Sequence, residues 1–218
     1  MAYFVLLFIE IAILFLLSRS MSKTLSRFMS INFLSLIFMP GVIIHELSHF
    51  LVAVILFVPV GNMEFSPKKS ADGVRLGSVE IGKTDPIRRS IIGFAPVFVG
   101  LMIVLGIVYF FTSNFLFFKD KDYYILIAAI VAIVYLLFAI SNTMFSSKRD
   151  MEGTVEILIT LLLIFIAAYA IGFRPDLSFA EKILNQEAFE TVKRSVIFLL
   201  VPIAIDMVIL GAVRVLRK

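Results

Sequence analysis

Two histidines and a glutamate in the run "PGVIIHELSHFLVAVILFVPV" (residues 40–60) are the residues of this chain best spaced for chemistry. On a helix, positions four apart share a face, so His45 and His49 can offer two imidazoles to one metal ion. Glu46 points near the same face without having to be a ligand. It can take a proton from metal-bound water and later deliver it to a leaving amine. This is the H-E-x-x-H pattern of zinc-dependent hydrolysis, in which zinc lowers the pKa of its water to ~7. The chain has no other histidine. The pair lies ~20 Å along a helix from either end of its apolar window, at a depth where polar groups are rare and usually functional. The competing account is a set of polar residues that bridge helices by hydrogen bonds. A metal in a protein-lined, water-accessible cavity better explains how the cost of burying them is recovered.

A catalytic zinc usually has three protein ligands and a water. Cysteine is absent, so thiolate ligands and disulfides are excluded. The carboxylates near membrane depth are Glu10, Asp150, Glu152, Glu156 and Asp206. Asp150 is preferred for its context. "FAISNTMFSSKRDMEGTVEILI" interrupts two apolar runs with an asparagine, hydroxyl side chains and an acid where a span ends. The plainer account is a solvated turn in which Lys148, Arg149 and Asp150 face water.

The elements that would hold these groups are those of an integral membrane protein. Apolar residues fill 61% of 218 positions, well above the share in soluble domains. Windows of about 20 apolar residues predict six spans: Ala2–Leu17, Ile31–Val60, Ile91–Phe111, Tyr123–Ile140, Val155–Phe173 and Val196–Leu216. The fold expected is thus all-α and polytopic, one membrane-embedded domain over residues 1–218 with a core at about 31–173. The first window reads as a retained anchor, because it bears Glu10 and has neither a basic leader nor a small-residue cleavage site. Pro40 and Pro59 kink or bound the second.

Residues 61–89 break the helical pattern. Met63/Phe65, Val74/Leu76 and Val79/Ile81 alternate, with "ADG" at a turn and Gly77 at an expected bulge, which predicts a β-hairpin or small sheet inserted after the H-E-x-x-H helix. Residues 172–194 read as a short interfacial helix. With both ends inside, the inside segments hold eleven of the Lys and Arg residues and the outside segments nine, which leans toward placing the β segment on the cytoplasmic side.

Taken together, "HELSH" in a span, Asn142 followed eight residues later by Asp150, and "GFAPVFVG" (93–100) between them resemble the site-2 protease family of intramembrane zinc metalloproteases. Asn142 and Asp150 match the ends of that family's N-x-x-P-x-P-x-L-D-G element. The likeness covers about Pro40 to Gly153, roughly half the chain. The chain departs from the element at Phe145 and Ser147, where the family has prolines, at Arg149 for its leucine and at Met151 for its glycine, although Gly153 follows. These departures bear on the backbone around Asp150 more than on its charge, and suit a divergent, compact branch.

The resemblance implies a Zn2+ held by His45, His49 and Asp150, with Glu46 as base and Asn142 holding substrate backbone or the developing oxyanion. It implies cleavage of a membrane-protein substrate in or near a transmembrane helix. A helix must unwind before water can reach its carbonyls, so a sheet edge in 61–82, with Val74, Leu76 and Val79, would hold the unwound strand. A plain amphipathic hairpin covering the bundle is the equal alternative. Pro96 could kink its helix, and ordinary helix packing also accounts for it. Glu10 and Asp206 pair across helices or face the cavity. Outside the protease reading stand a zinc transporter and an inactive metal-binding chaperone or regulator. The nearest enzyme alternative is another H-E-x-x-H membrane peptidase with a glutamate as third ligand. The expected partners are the lipid bilayer, the substrate and a membrane adaptor or regulator; no nucleic acid is expected. The compact loops suit a prokaryotic inner membrane.

Overall fold

Most of the apolar windows become helices in the computed structural model, which describes residues 2–70, 73–119, 122–145, 163, 167, 170, 172 and 186–216. Among these, the helices are α1 (Ala2–Leu25), α2 (Ile31–Ile55), α3 (Pro86–Ser113), α4 (Phe115–Lys119), α5 (Tyr123–Thr143) and α6 (Gln186–Leu216). Strands β1 (Val60–Glu64), β2 (Lys68–Ser70), β3 (Gly73–Arg75) and β4 (Ser78–Ile81) lie between α2 and α3. Among the described residues, four helices are long and apolar enough to cross a membrane: Ile31–Ile55, Pro86–Ser113, Tyr123–Thr143 and Phe189–Val215. The chain is therefore a mostly helical membrane-type protein, with four candidate spans among the described residues and six expected from sequence. The window Val155–Phe173 falls almost wholly outside the described residues. α1, a continuous 24-residue helix that carries Glu10, lies outside that group of four.

Local chemistry explains where the helix ends differ from expectation. α2 starts where the Ser30 side chain accepts from the Phe33 amide at 3.3 Å. It stops at Ile55, not Val60, because Phe57 turns to φ 57°. The amides of Phe57 and Val58 then reach back to the carbonyls of Val54 and Ala53 at 3.0 and 2.9 Å. That pair of bonds, with Val58 buried beside Ala53, is a Schellman closure. α3 starts at Pro86, five residues before the apolar window, since the Asp85 carboxylate accepts from the Arg88 amide at 2.9 Å and proline suits the first turn. α6 starts at Gln186. Residues 186–194, expected in a separate interfacial helix, are continuous with the span because no glycine or proline parts them from it.

α2 and α5 lie side by side. The Tyr135 hydroxyl donates to the Ile37 carbonyl at 3.0 Å, and the Phe38 and Phe138 rings stack with centroids 5.5 Å apart. Gly41 allows the closest approach: a Cβ there would lie 2.5 Å from the Ala139 carbonyl oxygen and against Thr143 Oγ1. The partners advance together in number, so the two helices run in the same direction. α3 closes on the end of α5, where a Cβ on Gly100 would lie 2.8 Å from Met144 Cβ. Leu7 and Leu14 of α1 join Leu199 and Ile203 of α6 and Val104 and Leu137 in the main core.

The β segment is one interrupted hairpin. β1 pairs antiparallel with β4 and β2 with β3, and the Gly82 amide extends the outer pairing to the Pro59 carbonyl at 2.8 Å. The bulge is not at Gly77. It lies in β1, where three steps from Val60 to Met63 face two steps from Ile81 to Val79. Gly77 instead sits between β3 and β4 and meets α2.

Candidate metal centre

The inward face of α2 carries the polar residues. His45 and His49 are each 5% exposed and Glu46 6%, whereas Leu36, Leu47 and Leu51 on the outer side are 41–60% exposed. The polar groups therefore face protein and the leucines are left to lipid, an arrangement expected of polar groups at membrane depth.

The two imidazoles converge. His45 Nε2 and His49 Nε2 lie 3.1 Å apart, with the rings edge to face and their centroids 4.8 Å apart. Two nitrogens on a tetrahedral zinc, each ~2.0–2.1 Å from the metal, stand ~3.3 Å apart. The pair therefore fits as two ligands after a small opening. His49 Nδ1 lies 2.8 Å from the main-chain carbonyl oxygen of Ile92 in α3. A carbonyl only accepts, so Nδ1 carries the hydrogen and donates. In the neutral ring, Nε2 is then left with its lone pair, the form that binds a metal.

Glu46 is placed by the β segment. A Cβ built on Gly77 would lie 2.8 Å from both Glu46 Cγ and Oε1 and 2.9 Å from Val42 Cγ1. The backbone of the hairpin thus passes directly over the carboxylate beside the histidines. Compared with models of known protein families, with curated proteins and with solved structures, the chain matches none of them.

The other expected site residues fall into three groups. Asp150 lies outside the described residues, and among the described residues no group of three His, Asp or Glu side chains gathers as a metal site. Asn142, buried near the end of α5, donates to Asp206 Oδ1 of α6 at 2.9 Å and to the Phe138 carbonyl at 3.1 Å. Its amide therefore ties two helices together and gives Asp206 a partner across helices. Of the expected substrate residues, Val74 lies in β3 opposite Lys69 and Val79 in β4 opposite Met63. Leu76, half-buried, packs on the cluster of Met21, Leu34, Phe38 and Val42.

Two contributors escaped the sequence reading. The Ile92 carbonyl carries no side-chain signature. Its signal is indirect: Pro96 stands four residues on, and its ring nitrogen has no hydrogen to give that carbonyl. A lone glycine in a strand pattern marks either a bulge or a close backbone approach, and Gly77 is the second.

Proposed function

We propose that this protein is a zinc-dependent intramembrane endopeptidase that hydrolyses a peptide bond in or near a transmembrane segment of a membrane-protein substrate. One observation carries the reading: two buried imidazole Nε2 atoms converge within 3.1 Å on α2, beside a glutamate that the β segment covers. Zinc at this point would supply a water acidic enough to attack at neutral pH and would polarise the scissile carbonyl. His45 and His49 would hold the ion through Nε2. Asp150 is the third ligand of this reading. The described chain leaves α5 just beyond the Gly41 contact, one helical turn from the level of His45, which leaves Asp150 five residues of chain from Phe145.

Glu46 is the proton carrier. Its carboxylate accepts a proton as the water oxygen bonds to the carbonyl carbon. It then gives that proton to the amide nitrogen as the carbon–nitrogen bond breaks, so that a carboxylic acid and an amine leave. The hairpin beside Glu46 would receive the unwound substrate as an added strand. On this reading Asn142 supports the site by joining α5 to α6, and an oxyanion role requires it to leave Asp206. The active site is assigned to the cytoplasmic side, following the charge lean of the sequence, and the compact loops suit a prokaryotic inner membrane.

The deciding measurement is zinc per chain in detergent-purified protein, for wild type and Asp150→Ala, with peptide cleavage compared between wild type and Glu46→Gln. About one zinc per chain, weakened in Asp150→Ala, with cleavage lost in Glu46→Gln, supports the reading. Zinc retained fully in Asp150→Ala moves the third ligand elsewhere. Absence of zinc from metal-replete wild type ends the proposal, and zinc bound with no cleavage by any apolar helix favours a transporter or a metal-binding regulator.

A further inference from the structure

α3 contains Pro96, and in an α-helix residue 96 would ordinarily donate its amide to the carbonyl of residue 92. Proline has no such hydrogen, so the helix ladder leaves the Ile92 carbonyl without its regular donor. That carbonyl is the one His49 meets, at 2.8 Å from Nδ1. Both partners are buried, Ile92 at 1% and His49 at 5% exposed, and Pro96 is itself among the most completely buried residues. A proline buried inside a helix costs the helix a hydrogen bond. Here the freed acceptor points at a group whose orientation matters.

We propose that Pro96 is a positioning residue for the metal centre: by withholding an amide from the Ile92 carbonyl, it reserves that oxygen for His49 Nδ1–H and so fixes Nε2 as the metal-facing nitrogen. The proposal rests on the reading of His45 and His49 as metal ligands. It goes beyond that reading in assigning the tautomer of one ligand to a main-chain vacancy made in a different helix. In the metal-free protein the same logic extends to the second ring. With His49 Nε2 an acceptor, His45 Nε2 holds the hydrogen between the two neutral rings at 3.1 Å. Binding a metal through both Nε2 atoms would require the His45 hydrogen to move from Nε2 to Nδ1 and would require no change on His49, so His49 is the preset ligand and His45 the one that changes.

The test uses full-length protein labelled with 15N-histidine, stripped of metal and held at a pH where both imidazoles are neutral. Long-range proton–nitrogen correlation reads which ring nitrogen carries the hydrogen, and His45→Ala assigns the signals. Wild-type His49 is expected to be protonated on Nδ1. Pro96→Ala, and Pro96→Gly as a second route to the same amide, are expected to shift His49 toward protonation on Nε2 and to weaken zinc binding on the order of 10-fold or more. Pro202→Ala, which restores an amide inside α6 instead, is expected to move neither. Protonation of wild-type His49 on Nε2 overturns the proposal even if neither Pro96 variant folds. An unchanged tautomer in a folded Pro96 variant, or an equal shift in Pro202→Ala, also overturns it. Because the tautomer is read without metal, failure of wild type to bind zinc would sink the peptidase reading and leave this result standing separately.

Discussion

Gly77 passes over Glu46 so closely that one added carbon would sit 2.8 Å from both Cγ and Oε1 of the carboxylate side chain. Real Cβ atoms do not tolerate that distance, so Gly77→Ala must displace either the hairpin or the glutamate. The three atoms nearest that added carbon belong to Glu46 and Val42, and none to a histidine. On the peptidase reading, cleavage of an apolar-helix peptide falls on the order of 10–100-fold, while zinc per chain stays at the wild-type value. Measuring both on one preparation separates the two effects. An equal loss of zinc would show that Gly77 shapes the metal site and not the proton carrier.

Asn142 and Asp206 make a different kind of pair. The bond from Asn142 Nδ2 to Asp206 Oδ1, 2.9 Å long, joins α5 to α6 where both residues are 5% exposed or less. Asn142→Ala leaves the Asp206 oxygen without that donor and is expected to cost about 1–2 kcal/mol of stability. Asp206→Ala should cost a similar amount, and the double variant should cost less than the two added together. Unfolding in mixed micelles measures all three. If Asn142 serves the substrate instead, its replacement lowers cleavage with stability intact, and Asp206→Ala leaves cleavage unchanged.

Sequence alone placed the imidazole pair on one helix face because periodicity is a property of the helix itself. The inward direction of that face also followed, since polar groups at membrane depth need protein around them. Partners on other elements were not legible. His49 meets a main-chain oxygen 43 residues away and Asn142 meets an acid 64 residues away, and neither pairing has a local pattern. Helix ends were misplaced for a related reason. Hydropathy marks the apolar stretch, whereas Asp85 at one end of α3 and Phe57 beyond the end of α2 act through hydrogen bonds that hydropathy does not register. Residues 146–150, with Asp150, lie outside the described residues.

Asp85 gives the chain a pH-dependent element outside the spans. The Arg88 amide donates to its carboxylate, and the Arg88 guanidinium lies 3.2 Å away. The amide hydrogen bond is the largest cause that holds the Asp85 carboxyl below its usual range, with the guanidinium charge adding to it. A carboxyl lowered on folding stabilises the folded state fully above its unfolded value of ~4 and loses that contribution as pH falls through the folded value. Asp85→Ala is therefore expected to lower Tm at neutral pH, and the difference from wild type should shrink toward zero on acidification below the folded value. Thermal unfolding across that range checks the sign. A difference that persists in acid would mean that the side chain caps α3 equally well when protonated.

Gly41 tests whether the spacing of α2 and α5 sets the site. A Cβ there would lie 2.5 Å from the Ala139 carbonyl oxygen and against Thr143 Oγ1. The Thr143 hydroxyl can rotate aside; the Ala139 carbonyl belongs to a helix backbone and cannot. Any side chain at 41 therefore pushes the helices apart one turn before His45. Overpacking of this kind typically costs about 1–3 kcal/mol, and more as the side chain grows. Gly41→Ala is expected to be destabilised yet folded, and Gly41→Leu to be recovered poorly from membranes. Thr143→Ala combined with Gly41→Ala should restore little, because the backbone contact remains. On the peptidase reading, which puts two ligands on α2, the separation should also weaken zinc binding if the third ligand comes from the chain beyond α5. Zinc titration of Gly41→Ala beside its unfolding curve decides the point: zinc affinity unchanged in a destabilised but folded protein would place every ligand on elements that move together with α2.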